Sequence, residues 1–404
     1  MKFSKLSQLG LVSVLGLGVA TLLSGCMLVS IDYVFVATSA GNTSGSSGMI
    51  ESFAADGQSG ALRPVSKTAD SGGSGPVSLA ASADYLNLYV ANQGNNSIVH
   101  FAINGDGTLT KKDAVTAPFT PDSVALSTSG KYLYAVGGSN PAQLAVYPLS
   151  AGTIGSLAAT INLTLPGFAG DVVVPTGVNV FANNGGVVVS AFDQSAYNPG
   201  GTVTSSANPG WVFSFSVGSN GALTPAAGSP FQAGVKPSAI TSDPNSRFVY
   251  VTDYASNQLI GYTIQNGAVL SFLLNGPFRT GNEPLSVAMD PRGVYMYVAN
   301  SLQNTVTGYT VDLATGTPSV VVSTSGGAAP TTDAQPVSIV VDPALGRYVY
   351  TANHLGNTIS GFRLDPNTGA ISTTQATPYP TTGSSPAAIA AVPHGNHATQ
   401  IVTP

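Results

Sequence analysis

One phrase returns along this chain and constrains its fold more than any other feature. It reads Pro237-Ser-Ala-Ile-Thr-Ser-Asp-Pro-Asn-Ser-Arg-Phe-Val-Tyr-Val-Thr-Asp253 in one copy. The next copies are Pro284-Leu-Ser-Val-Ala-Met-Asp-Pro-Arg-Gly-Val-Tyr-Met-Tyr-Val-Ala-Asn300 and Pro336-Val-Ser-Ile-Val-Val-Asp-Pro-Ala-Leu-Gly-Arg-Tyr-Val-Tyr-Thr-Ala-Asn353. Earlier copies start at Pro76 and Pro121, a degraded one near residue 170, and a truncated one at Pro386. The starts lie about 45–60 residues apart, the period of a propeller blade. Each repeat is a unit that cannot bury its apolar face alone, so the copies must stack on one another.

Within a copy the pattern predicts a four-strand meander. In the copy at Pro237, residues 238–241 form the inner strand, Asp243-Pro-Asn-Ser a tight turn, and residues 248–252 the second strand. Asn257 closes a loop before a third strand over 259–264, and Gln265-Asn-Gly is a hairpin turn of the kind that needs positive φ. Residues 33–38 match a second strand with no inner strand before them, and residues 386–392 an inner strand with no second strand after it. Pairing the two closes the ring and removes an exposed strand edge. The expected fold is therefore all-β, a seven-bladed β-propeller closed by strands from both chain ends, with a six- or eight-bladed ring as the alternative. The copy between Asp171 and Thr224 is the irregular one and carries an insertion over 193–209.

The first residues predict export. Lys2 and Lys5 precede an uncharged apolar run over 9–23, short for a membrane span. The run ends in Leu23-Ser24-Gly25-Cys26, which resembles a bacterial lipobox, and Cys26 is the only cysteine of the chain. The expected organisation is a signal peptide over 1–25, a lipidated Cys26 with its tether over 26–32, the propeller over 33–393 and a patternless tail over 394–404. Disulfides cannot staple such a fold. With 43% hydrophobic and 8% charged residues and a net charge of −5, the chain can bury a core but has no basic stripe for nucleic acid.

The phrase Pro-x-Ser-Ile-x-x-Asp-Pro…Tyr-Val-x-Asn…Gly-Tyr…Thr-Gly resembles the lactonase-like seven-bladed propellers, a group with bacterial 6-phosphogluconolactonase and the fungal muconate cycloisomerase. The resemblance covers nearly all of the chain after the leader, and it implies the fold more firmly than the chemistry. Family enzymes carry a Pro-Arg-His phrase at one inner-strand start and an Asn-Glu-Leu phrase after the next strand. The matching positions here are Pro237-Ser238-Ala239 and Asp253-Tyr254-Ala255. Pro284-Leu285, Pro336-Val337 and Pro121-Asp122 do not restore the Arg-His pair either.

In a propeller the inner-strand starts and the loops after second strands share one face. There the copies place Lys236, Glu283, Gln335 and Ser385 at strand starts, and Asn92, Asn95, Asp253, Tyr254, Asn300, Asn353 and His354 in the loops. As catalytic candidates, Glu283 suits a base, Lys236 a stabiliser of a developing oxyanion, and His354 completes the set. Asp253, Tyr254, Asn300 and Asn353 are candidates for ligand binding, although an Asn recurring at one place also suits a turn cap. Tyr197, within the insertion, and Trp211, just after it, are candidates to stack on a sugar or peptide, Trp211 alternatively packing between blades. His100 sits in an apolar strand and reads as packed. His394 and His397 lack carboxylates nearby in sequence, and Asn104-Gly-Asp106-Gly lacks the acids of a calcium loop, so no metal and no cofactor are expected. Two functions follow: a non-catalytic binding or scaffold protein of the envelope, attached to the membrane through lipid and holding a small-molecule, glycan or protein ligand, or a lactone hydrolase or cycloisomerase with a diverged site.

Overall fold

Seven antiparallel sheets follow one another along the chain, and each is one copy of the repeat. The computed structural model describes residues 29–39, 47–65, 67–166, 170–197, 209–321 and 329–400. The signal sequence and Cys26 lie outside the described residues, as do residues 198–208 of the insertion. No described helix is long and apolar enough to cross a membrane.

Blade 1 is the shared one. Its inner strand, Ser384–Pro393, comes from the carboxyl end and pairs with Ser30–Ser39 from the amino end, in the register Tyr33↔Val392 and Val36↔Ile389. Blades 2 to 7 then occupy residues 76–116, 121–162, 173–232, 237–279, 284–320 and 336–380. The ring is thus closed as the repeat predicts, with the first strand starting at Ser30, ahead of the expected Tyr33. The degraded fourth copy is a complete blade, order Val173–Val180, Gly186–Asp193, Gly210–Val217, Leu223–Pro225.

The repeated residues are the joints between blades. In the Pro-x-Ser phrase the Ser hydroxyl links one inner strand to the next: Ser286 Oγ accepts the Ile339 N–H at 3.2 Å and Ser338 Oγ the Ile389 N–H at 3.2 Å. The second-strand Tyr reaches further out. Tyr250 donates to Gly316 O at 2.7 Å, Tyr297 to Gly369 O at 2.7 Å and Tyr350 to Gly60 O at 2.9 Å, each a hairpin carbonyl of the following blade. The third-strand Gly of the Gly-Tyr phrase gives these rings room. Gly308 pairs with Tyr297, and a Cβ there would stand 3.1 Å from the ring. Blade 2 has His100 at that place, stacked on Tyr89 with centroids 4.9 Å apart and bonded to Asp113 and Asn87, so it is packed as expected. Apolar clusters fill the space between neighbouring blades, for example Tyr250, Met296 and Tyr309 between blades 5 and 6.

Tyr297→Phe should therefore weaken the ring without emptying its core. Loss of one buried hydroxyl–carbonyl bond, with the Gly369 carbonyl left unpaired, is expected to lower unfolding stability by about 1–2 kcal/mol. A urea midpoint that falls at constant slope checks this.

The tail corrects two expectations. Residues 395–399 form a short 3-10 turn rather than a patternless end. His397 is buried and does have carboxylate neighbours: its Nε2 lies 3.2 Å from both Asp342 oxygens and 3.5 Å from Asp32 Oδ1. Both acids are distant in sequence, so local spacing could not reveal them.

Candidate functional site

The inner-strand starts and the loops beside them are tied together by main-chain bonds. Tyr254 N–H donates to Lys236 O at 2.9 Å, Ser301 N–H to Glu283 O at 2.8 Å and His354 N–H to Gln335 O at 2.8 Å. These bonds hold loop and strand start of one blade on the same face. Glu283, Gln335 and Ser385 each take a left-handed backbone, with φ of 54°, 59° and 52°. Such a conformation costs a non-glycine residue about 1–3 kcal/mol unless its surroundings impose it. The surroundings here are an Asn of the preceding blade. Asn257 Oδ1 accepts the Glu283 N–H at 2.7 Å, Asn304 that of Gln335 at 2.8 Å and Asn357 that of Ser385 at 2.7 Å.

Blades 4, 5 and 6 converge on Lys236. Its Nζ lies over three rings, 4.7 Å from the Tyr254 centroid, 5.0 Å from Tyr197 and 5.5 Å from Phe192. Tyr197 meets Phe192 edge to face at 5.6 Å. Among the described residues Lys236 enters no ion pair. An ammonium held by ring faces is attracted to them yet keeps its whole charge. Tyr254 in turn lies beside Glu283, and burial first, then the neighbouring carboxylate as acceptor and as charge, push the Tyr254 hydroxyl up to about 12, so it stays protonated near neutral pH.

Four of the sequence candidates, Lys236, Glu283, Tyr254 and Tyr197, thus come together, and Phe192 joins them. The others go elsewhere. Asp253 is fully buried, its carboxylate accepting the N–H groups of Val235 and Lys236 at 2.9 Å each and Gln258 Nε2 at 2.9 Å. Asn300 and Asn353 are also fully buried. Asn300 accepts the Gly281 N–H at 3.0 Å and donates to Thr305 Oγ1 at 3.1 Å, and Asn353 donates to Thr358 and Ser360. These three are framework groups in this fold, because a fully buried and bonded polar group has nothing to offer a ligand on the face. Asn92, also buried, donates to Ser71 O at 3.2 Å, and Asn95 accepts from Ser97 at 3.1 Å. Trp211 lies within a third strand, paired with Ala191 and Gln232 and packed on the apolar cluster between blades 3 and 4. It is the blade packing, not the stacking platform, that the structure gives this residue. His354 faces the seam, its Nδ1 3.2 Å from Pro386 O.

One further acid stands on this face. Asp122, second residue of the blade 3 inner strand, accepts Gln93 Nε2 at 2.7 Å. Burial pushes its carboxyl up to about 6, and the Gln93 bond only partly opposes this. The repeat gives no signal for it, since the other copies carry Val77, Ser238, Leu285, Val337 and Ala387 there and no second acid. The folded carboxyl holds its proton to higher pH than the unfolded one, so stability falls as pH rises from about 4 to about 6. Asp122→Asn is expected to match the parent at pH 4 and to exceed it at pH 7.5 by about 1–3 kcal/mol, read from urea midpoints at both pH values.

A sequence model described as Lactonase, 7-bladed beta-propeller matches residues 67–166 and 212–332. The chain belongs to the lactonase propeller family. Solved structures agree on the fold. The periplasmic gluconolactonase of Pseudomonas aeruginosa superimposes with a TM-score of 0.71 at 19% identity, over 90% of this chain and 99% of that one. A Bacteroides fragilis protein named as a candidate 6-phosphogluconolactonase gives 0.70 at 18%, over 91% and 99%. A Lactobacillus plantarum protein gives 0.70 at 18%, over 90% and 99%. No curated protein matches in sequence. In this lactonase propeller the Lys236 cage stands beside Pro237-Ser238-Ala239 and Asp253-Tyr254-Ala255.

Proposed function

We propose that this lactonase-family propeller is an exported, lipid-anchored binding protein of the bacterial envelope that holds a sugar acid or a related anionic glycan on its channel face. The Lys236 cage carries the reading. An uncancelled ammonium supplies the contact to a carboxylate, and Tyr197 and Tyr254 supply ring surface for an apolar sugar face. Glu283 lies beside Tyr254, while His354 is turned away to Pro386 O, so the expected catalytic trio does not converge. The Leu-Ser-Gly-Cys26 sequence and the periplasmic neighbour support export and anchoring.

A second reading, lactone hydrolysis, is favoured by the gluconolactonase neighbours and by Asp122, an acid poised as a base near neutral pH on the same face. One experiment separates the two. The purified full chain is titrated calorimetrically with gluconate, and hydrolysis of glucono-δ-lactone and 6-phosphogluconolactone is followed against the uncatalysed rate. The binding reading expects saturable gluconate binding that Lys236→Met weakens about 10- to 100-fold, with hydrolysis at background. Turnover above background that disappears in Asp122→Asn or Glu283→Gln replaces it with the second reading. No binding to any sugar acid, with no turnover, overturns both.

A further inference from the structure

We propose that Asp32, Asp342 and His397 form a zinc site that pins the closure of the ring. One ligand atom from each lies within 4.8 Å of the others, and all three residues are buried. The three come from different parts of the seam: the amino-terminal strand of blade 1, the end of the blade 7 inner strand, and the turn after the last strand. This places the site at the opposite ends of the inner strands from Lys236, away from the face that binds.

The two separations from His397 suit a tetrahedral ion. Zinc–nitrogen and zinc–oxygen bonds of about 2.0–2.2 Å set neighbouring ligand atoms about 3.3–3.5 Å apart. His397 Nε2 lies 3.2 Å from Asp342 Oδ1 and 3.5 Å from Asp32 Oδ1. The other ring nitrogen points at Gln400 Oε1, 3.5 Å away. A hydrogen bond there keeps the proton on Nδ1 and presents Nε2 as the ligand. The N–H groups of Ala344 and Arg347 fix the Asp342 carboxylate at 2.9 and 3.0 Å. Calcium would need about 6–8 oxygens, far more than converge here.

The second observation is Asp32. Among the described residues neither of its carboxylate oxygens has a hydrogen-bond partner, and the residue is fully buried. The neighbouring blades show what is missing. Asp243 and Asp290 occupy the position of Asp342, and each is neutralised by one guanidinium, Arg247 Nε at 2.8 Å and Arg292 Nε at 2.6 Å. At the seam two carboxylates share one imidazole, and Arg347, although its charge reaches Asp32, forms no ion pair with either acid among the described residues. A divalent ion on neutral His397 cancels both carboxylates.

The test uses the full chain, dialysed against zinc and then against metal-free buffer, with metal counted by mass spectrometry. The proposal expects one zinc per chain in the parent and none in Asp32→Asn or His397→Gln. With free zinc at roughly 100 times its Kd, the thermal midpoint of the parent should exceed that in EDTA by about 3–6 °C, while both variants stay unmoved. In EDTA, Asp32→Asn should be at least as stable as the parent, which shows that it folds and has lost only the metal. Cobalt in place of zinc should give the visible absorption of a tetrahedral site in the parent alone. A parent chain that binds no zinc and has one midpoint in zinc and in EDTA overturns the proposal. So does an Asp32→Asn chain that binds zinc as the parent does.

Discussion

Glu51→Ala is expected to lower unfolding stability by about 3–5 kcal/mol and to loosen the ring at its closure. Glu51 is 3% exposed on the third strand of blade 1. Its Oε1 accepts the Gly383 N–H at 2.8 Å and the Thr38 hydroxyl at 3.3 Å. Its Oε2 accepts the Thr382 N–H at 2.8 Å and the Thr382 hydroxyl at 2.9 Å. Four donors from both ends of the chain thus meet on one carboxylate. Removing it leaves the buried Gly383 N–H and the more exposed Thr382 N–H without this acceptor at the place where the two chain ends meet. Glu51→Gln keeps one acceptor oxygen but turns an amide toward a donor, so about 1–3 kcal/mol is expected. Urea midpoints rank the variants. Proteolysis under native conditions adds a local reading, since cleavage near residues 382–383 should rise in Glu51→Ala before the rest of the ring becomes accessible. A Glu51→Ala chain as stable as the parent would mean that those N–H groups find other acceptors.

The repeat made most of the fold legible, because the repeated residues are the ones that join blades. The Ser of Pro-x-Ser, the second-strand Tyr and the Gly opposite it return in several copies since each solves the same contact. A role that occurs once leaves no such trace. Glu51 performs at the seam what Asn300 and Asp253 perform inside the ring, but on a third strand, so no alignment of copies singles it out. Asp32, Asp342 and His397 meet only because the ends meet, and they lie far apart in sequence.

The same logic divides the candidate site. Position along the repeat brings Lys236, Tyr254 and Glu283 to one face, since strand starts and following loops are bonded in blades 2 to 7. It also gathered Asp253, Asn300 and Asn353, which share that face in sequence but point their polar atoms into the framework. Recurrence was the useful warning for the two Asn residues. Asp253 escaped it because it differs from them by one atom type. Phe192 was hidden by its apolar character, and Asp122 by the burial that sets its charge.

Asp253→Ala should show how the framework holds the site. The carboxylate touches no part of the Lys236 cage, yet it accepts the main-chain N–H of Lys236 and of Val235 before it. Its removal leaves both donors unpaired in a fully buried place, and about 3–5 kcal/mol of stability should be lost. Gluconate affinity should fall by about as much as in Lys236→Met, because the ammonium leaves the rings when its strand start is released. Asp253→Asn is the decisive partner. Blade 6 already has Asn300 here, with its amide donating to Thr305 Oγ1. In blade 5 the side chain at the same register is Gln258, which now donates to Asp253 and can present its carbonyl instead after an amide flip. An Asn at 253 then keeps its oxygen on the Lys236 N–H but turns its amide toward the Val235 N–H, which the aspartate bonds through its other oxygen, so a loss of about 1–3 kcal/mol is expected, less than in Asp253→Ala. Asp253→Asn that binds as the parent, beside Asp253→Ala that does not, assigns Asp253 a positioning role through Lys236. Loss of binding in Asp253→Asn at unchanged stability would instead mean that the negative charge itself is read by the ligand.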